Sequence, residues 1–158
     1  MAGKTVGIVG TGKIGAALAR IMKSFGCKLL GYDTRTDPAS MQLEMNYTDL
    51  PSLLVQSDIV SLHCRLTPAT THLINDRTVH LMKRGSMLIN TARGALIDAR
   101  AVIDALKTRE HLWYLGLDVY EGEGPLFFTD LSSTIIPDDV FERLTTFPNT
   151  VITGHRAF

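Results

Sequence analysis

The sequence predicts an α/β fold: a doubly wound, mostly parallel sheet with helices on both faces. Three observations predict it. Short apolar, β-branched runs alternate with stretches whose apolar residues recur at helical spacing, the rhythm of strands joined by crossover helices. A glycine-rich turn, GTGKIG at Gly10–Gly15, stands directly between the first such run and the first helical stretch. The chain of 158 residues suits one domain with a sizeable core, and no repeat, linker or low-complexity tract interrupts it, so residues 1–158 are expected to form a single domain.

Taken in order, Thr5–Val9 reads as a buried strand and Lys13–Phe25 as a helix marked by Ile14, Leu18, Ile21, Met22 and Phe25. Lys28–Tyr32 is a second strand and Leu43–Tyr47 a short third. Asp49–Gln56 is a helix, with Pro51 in its first turn, where a missing N–H costs little. Asp58–His63 is a strand, and Asn75–Met82 a helix that Asn75 is placed to cap. Ser86–Asn90 is a strand, Asp98–Lys107 a helix entered from a turn at Gly94, and Trp113–Asp118 a strand. Asp138–Thr145 is a helix and Thr150–Thr153 the last strand. The long connection 120–137 carries Leu126, Phe127 and Phe128 together, and connections of that length are commonly functional or interfacial. Met22, Met82 and Met87 read as core fillers.

Composition narrows the function. Sixteen basic and sixteen acidic side chains cancel, so no global positive field holds nucleic acid or an anionic membrane. Cys27 and Cys64 are too few for a disulfide framework, and no histidines, cysteines and carboxylates cluster at metal-ligand spacing. A nucleophile elbow of the G-x-S-x-G type is missing. MAGKTVGIVG turns polar and glycine-rich before a signal peptide could form, and no apolar run nears the roughly eighteen residues of a membrane span. A cytoplasmic protein with no nucleic-acid or membrane partner is expected.

Gly10–Gly15 is a G-x-G-x-x-G placed between a strand and a helix, the context in which that weak pattern becomes informative. Gly10 permits the tight turn, Gly12 lets backbone approach a pyrophosphate, and Gly15 lets helix and strand pack closely. The N–H groups around Lys13 and Ile14 would face the phosphates at the helix N-terminus. Asp33 lies eighteen residues past Gly15, just beyond the second strand. A carboxylate there accepts hydrogen bonds from ribose hydroxyls and repels a 2′-phosphate, which favours NAD over NADP; Arg35 nearby argues mildly the other way. A Rossmann-type NAD-binding domain is expected.

Several stretches together resemble the D-isomer-specific 2-hydroxyacid dehydrogenases: GIVGTGKIG, SLHCRLTPAT at 61–70, NTARGALID at 90–98, GLDVYEGE at 116–123 and TGHRAF at 153–158. The segment 124–144, GPLFFTDLSSTIIPDDVFERL, looks most like the fermentative D-lactate dehydrogenase branch. The resemblance spans nearly the whole chain and implies roles at the matched positions. Arg93 matches the arginine that grips the substrate carboxylate, His155 the catalytic histidine, and Glu123 the carboxylate paired with it. Asp118 matches a residue near the nicotinamide end, Cys64 and Leu66 the wall beside the cofactor, and Thr91 and Ala92 a loop facing the nicotinamide. Arg65 stands where the family often has proline, a change in loop stiffness or local charge that touches no catalytic role. The resemblance also implies a homodimer through the cofactor domain, for which Trp113 and Leu126–Phe128 are candidate contacts or, equally, core. It implies too a protein roughly twice as long, whose substrate domain is built from segments before GKTVG and after the terminal histidine, so an isolated coenzyme-binding domain is expected.

The chemistry agrees with those roles. Reducing a 2-keto acid needs a hydride donor, a proton donor for the carbonyl oxygen and a cation for the carboxylate. Arg93 and His155 each follow a strand and so open on the ligand edge of the sheet. A guanidinium suits bidentate carboxylate binding, and an imidazole beside a carboxylate is held in one tautomer with its protonated form favoured. Glu121 is an equally acidic neighbour of Glu123; spacing from Asp118, five residues before, favours Glu123. His63 reads as structural, and His72, His80 and His111 receive no role. Three functions compete: NAD-linked interconversion of a small 2-keto acid, with pyruvate expected, and its D-2-hydroxy acid; an NAD(H)-binding module without turnover; and a nucleotide sensor, which the Arg93, Glu123, His155 set disfavours.

Overall fold

The computed structural model describes residues 1–35, 44–127, 130 and 133–155. Strand β1 (Thr5–Val9) leads into helix α1 (Lys13–Ser24), followed by β2 (Lys28–Tyr32), β3 (Asn46–Tyr47), α2 (Leu50–Gln56) and β4 (Ile59–Leu62). Then come α3 (Asp76–Val79), β5 (Ser86–Asn90), a 3₁₀ turn at Gly94–Leu96, α4 (Ala99–Thr108) and β6 (Leu112–Leu117). Helices α5 (Gly124–Phe127) and α6 (Asp139–Thr145) precede β7 (Thr150–Ile152). The seven described strands form one sheet in the order β3-β2-β1-β4-β5-β6-β7, and every pairing is parallel. The chain winds outward in both directions from the β1/β4 junction. The carboxyl ends of those two strands are therefore the switch point, where an open α/β sheet leaves a crevice.

Local chemistry starts most helices where the sequence predicts. Asp49, Asn75, Asp98 and Asp138 each cap a helix with a side-chain oxygen on main-chain N–H groups, a contribution of about 1 kcal/mol each. The helix expected over Asn75–Met82 is only one turn long. After the reciprocal Asn75–Thr78 cap, Leu81 and Met82 bond three residues back, to Thr78 and Val79, which tightens the chain and carries Met82 into the core. Helix α5 is not foreseen by sequence; the Glu123 carbonyl starts it by accepting the Leu126 and Phe127 N–H groups. The third strand is shorter than expected, and its expected start at Leu43, like Phe128, lies outside the described residues.

Two cores lie on opposite faces of the sheet. The larger packs Val9, Val60, Leu62, Leu88 and Leu117 against Leu53 and Leu54 of α2, Val102 and Leu106 of α4, and Leu144 of α6. The smaller packs Val6, Ile8, Cys27, Leu29 and Met45 around Ala19 of α1. Helix α1 inverts a simple reading of its sequence. Its small residues Gly15, Ala16 and Ala19 face the sheet, while Ile14, Ile21 and Phe25 are 65%, 51% and 55% exposed. Close approach behind the glycine turn demands the small face. The smaller core stops at β4. Beyond it, register places Met87, Ile89, Tyr114 and Val151 on that same face, where Met87 and Ile89 are half-buried and Tyr114 and Val151 are exposed. Of the candidate contact residues, Leu126 and Phe127 are half-buried against the larger core, and Trp113 is 43% exposed.

Candidate active site

The turn after β1 is shaped by three glycines with different reasons. Gly10 has φ +93°, and a Cβ there would lie 2.4 Å from the Cys64 backbone nitrogen. A Cβ on Gly15 would lie 2.1 Å from the Gly10 carbonyl oxygen. The protein's own backbone thus closes both positions to a side chain. At Gly12 an added Cβ meets no protein atom within 4 Å. That open space, at the N-cap of a helix with no side-chain cap of its own, fits a pyrophosphate lying against the first-turn N–H groups of Lys13 and Ile14.

Asp33 sits just past β2, beside this turn. Its Oδ2 accepts the Thr11 N–H at 2.6 Å and the Thr11 hydroxyl at 3.2 Å, and its Oδ1 accepts the Arg35 N–H at 3.3 Å. Burial raises its pKa, but these hydrogen bonds outweigh burial and hold the carboxyl below the ordinary 3.8. The Tyr47 hydroxyl donates to Thr11 Oγ1 at 2.9 Å and steadies the same corner. Cys64 and Leu66 follow β4 across the crevice. Burial pushes the Cys64 thiol up, and the Asp33 charge adds to this. The thiol is therefore uncharged at neutral pH, as suits a wall beside a bound cofactor. His63 bonds Ser61 Oγ through Nε2 at 2.8 Å, and burial pushes its pKa down, in keeping with a structural part.

The loop after β5 is set by Asn90, a buried residue that sequence reasoning did not single out. Its Nδ2 donates to the Arg93 carbonyl at 2.9 Å and its Oδ1 accepts the Ala92 N–H at 3.0 Å. Thr91, Ala92 and Arg93 thus turn over the carboxyl edge. The Arg93 side chain is exposed, with Nη1 on the Ala92 carbonyl at 2.6 Å, and among the described residues it makes no ion pair. Gly94 presses on the next loop: a Cβ there would lie 2.1 Å from the Tyr120 carbonyl carbon.

The loops after β6 and β7 meet at His155. Its backbone N–H donates to the Asp118 carbonyl at 2.8 Å, and the Thr153 hydroxyl donates to the buried Asp118 carboxylate. His155 has φ +52°, an uncommon conformation that turns it toward the β6 loop. There its Nδ1 lies 2.7 Å from Glu123 Oε1, and Glu123 Oε2 accepts the Tyr120 N–H at 2.9 Å. Glu121 instead meets His72, Nε2 to Oε2, at 2.9 Å. The two neighbouring acids are thereby sorted: one faces the histidine at the sheet edge, the other ties the loop carrying residues 65–75. The His72 contact joins residues 49 apart, which no local pattern could reveal.

A parallel sheet whose carboxyl edge carries this glycine turn, a bare helix N-terminus and a carboxylate just past the second strand defines a dinucleotide-binding domain. The family model described as "D-isomer specific 2-hydroxyacid dehydrogenase, NAD binding domain" matches residues 1–157, and the chain belongs to this family. A D-lactate dehydrogenase of Escherichia coli (strain K12) is 51% identical over 158 residues, covering 100% of this chain and 48% of that protein. D-lactate dehydrogenase kk1H of Curvularia clavata is 57% identical over 156 residues, covering 99% and 44%. The NAD-complexed structure of a D-isomer specific 2-hydroxyacid dehydrogenase from Lactobacillus delbrueckii ssp. bulgaricus superposes with a TM-score of 0.89 at 37% identity, covering 96% of this chain and 45% of that one. The chain spans about half the length of the curated relatives it matches. Among the described residues, no helix is long and apolar enough to cross a membrane.

Proposed function

We propose that this chain is the cofactor domain of an NAD-dependent D-2-hydroxyacid dehydrogenase that interconverts pyruvate and D-lactate. The observation that carries the reading is the 2.7 Å contact between His155 Nδ1 and Glu123 Oε1 on the ligand edge of a dinucleotide-binding sheet. The names of the relatives support the choice of substrate. NAD(H), when bound, supplies or receives the hydride at the substrate C2. In the turn that Gly10 and Gly15 shape, Gly12 and the N–H groups of Lys13 and Ile14 would hold the phosphates, and Asp33 would hold the adenosine ribose. Cys64, Leu66, Thr91, Ala92 and Asp118 line the path toward the nicotinamide. Arg93 grips the substrate carboxylate with two parallel N–H donors and so orients the carbonyl. Glu123 accepts from Nδ1–H, which leaves Nε2 of His155 to deliver the proton to the carbonyl oxygen during reduction and to take it back during oxidation. We further propose that two copies pair through this domain.

A second reading is an NAD(H)-binding module without turnover, favoured by the exposed Arg93 guanidinium, whose Nη1 rests on the neighbouring Ala92 carbonyl. One experiment separates the two. Pyruvate-dependent NADH oxidation by the 158-residue chain is measured at high protein concentration, with His155→Ala as control. Turnover lost in the control supports the dehydrogenase. A folded chain that binds NADH and oxidises none supports the module.

A further inference from the structure

We infer that Tyr120 is a positioning residue for the Glu123–His155 pair, aimed by a hydrogen bond from its hydroxyl to Asp138; the inference rests on the reading of that pair given above. Both main-chain groups of Tyr120 engage Glu123. Its N–H donates to Glu123 Oε2 at 2.9 Å, and its carbonyl accepts the Glu123 N–H at 3.2 Å. The other carboxylate oxygen, Oε1, meets His155. Where the carboxylate sits thus follows from where the Tyr120 peptide sits.

The Tyr120 side chain is gripped from one element, α6. Its ring, in a residue 9% exposed, packs on Phe141 with centroids 5.2 Å apart, and Phe141 packs in turn on Phe127 at 5.5 Å. The hydroxyl donates to Asp138 Oδ2 at 3.0 Å and lies 3.2 Å from Oδ1. Asp138 is itself fixed, since Oδ1 caps α6 through the Val140 and Phe141 N–H groups at 3.0 and 2.9 Å. Burial first, and then Asp138, push the phenol pKa up, so the hydroxyl stays a donor throughout the neutral range. The other charges near it are Glu121, engaged by His72, and Arg100. Gly122 lets the loop close over this contact: a Cβ there would stand 3.1 Å from the Tyr120 ring and 3.3 Å from Asp138 Oδ2. A phenylalanine would fill the same space as the tyrosine ring. Only the hydroxyl distinguishes the two residues, and it goes to Asp138.

The test reads the His155 ring directly. Long-range ¹H–¹⁵N spectra of the labelled chain at about pH 8, where ordinary imidazoles are neutral, report the tautomer of each histidine. A neutral imidazole whose Nδ1 faces a carboxylate carries its proton there, so the parent His155 shows Nδ1–H. His80 and His111 point Nδ1 at the carbonyls of Asp76 and Met82, at 2.6 and 2.7 Å, and serve as internal controls away from this loop. His155→Gln assigns the signal. Tyr120→Phe is expected to replace the single Nδ1–H state of His155 with both tautomers while His80 and His111 stay unchanged. Asp138→Asn, which still caps α6, shifts His155 in the same direction. If both variants keep the parent His155 spectrum while Glu123→Gln alters it, the positioning role is overturned and the pair stands. If the parent His155 carries its proton on Nε2 alone, the pair itself falls, and the positioning role falls with it.

Discussion

Asp33 is held ionised by its own protein before any nucleotide arrives. The Thr11 and Arg35 N–H groups and the Thr11 hydroxyl more than offset burial and keep its carboxyl below the ordinary 3.8. On the function proposed above, a fixed negative charge beside the turn would serve two ends, accepting from ribose hydroxyls and repelling a 2′-phosphate. Asp33→Asn removes the charge and keeps the shape. NADH binding, followed by fluorescence titration, is expected to weaken about tenfold, roughly 1.4 kcal/mol, while NADPH binding holds or improves. Equal NADH affinity in parent and variant would show that Asp33 faces no ribose. The sign of the pH dependence follows from the depressed pKa. The carboxylate is charged throughout the neutral range, so its part in binding is flat there and fades only as pH falls below the ordinary 3.8. At this scale the geometry was legible where one residue type has one job in a known context: Gly10 in the tight turn and Gly15 at the close helix–strand approach. Asn90 was not legible, because an asparagine at a strand end has many uses and only its burial shows which applies.

At the scale of elements, the strands were readable because parallel strands buried on both faces are near-continuous apolar runs. The helices divided by length. α1, α2, α4 and α6 carry enough period to be seen, whereas α5 is one turn started by a backbone carbonyl and has no side-chain signal. The far edge of the sheet depends on a charged tie. Asp58 Oδ2 accepts the Thr5 N–H at the start of β1, and its Oδ1 lies 2.8 Å from Lys83 and 3.5 Å from Lys4. Burial raises the Asp58 pKa, but the Lys83 hydrogen bond, the Thr5 N–H and the two lysine charges bring it below the ordinary 3.8. The unfolded chain therefore binds this proton more tightly than the folded one. The stabilisation is fully present above the unfolded value and is lost as pH falls through the folded one. Asp58→Asn is expected to lower Tm at pH 7 and to narrow the gap to the parent as pH drops below about 4 in thermal melts. A gap independent of pH would mean that the lysines contribute nothing through charge.

For the whole molecule, the described residues cover the sheet unevenly. One face is packed by α2, α4 and α6, and the other by α1 over β1 and β2. Sequence could not reveal this, because an apolar alternation in β5, β6 and β7 reads as buried whether the covering element is its own or another's. It led Met87 to be read as core, whereas it lies half-buried at the border of the open half-face with Ile89, Tyr114 and Val151. All-parallel sheets are stable when both faces are covered, and a contiguous apolar patch on a folded surface marks a place of contact. If a second copy supplies that cover, the association is driven by apolar area and one charge at its centre should abolish it. Tyr114 is 48% exposed, so Tyr114→Glu places a carboxylate on the patch without burying it in the isolated chain. Sedimentation equilibrium of the parent is expected to give a mass rising with concentration from 17.4 kDa toward twice that value, with Tyr114→Glu remaining at the monomer mass and keeping the parent's melting temperature. A parent that stays at 17.4 kDa at high concentration removes the pairing altogether. A variant that pairs like the parent moves the contact elsewhere, with the exposed Ile14 and Ile21 of α1 and Phe25 just past it the next surface to charge.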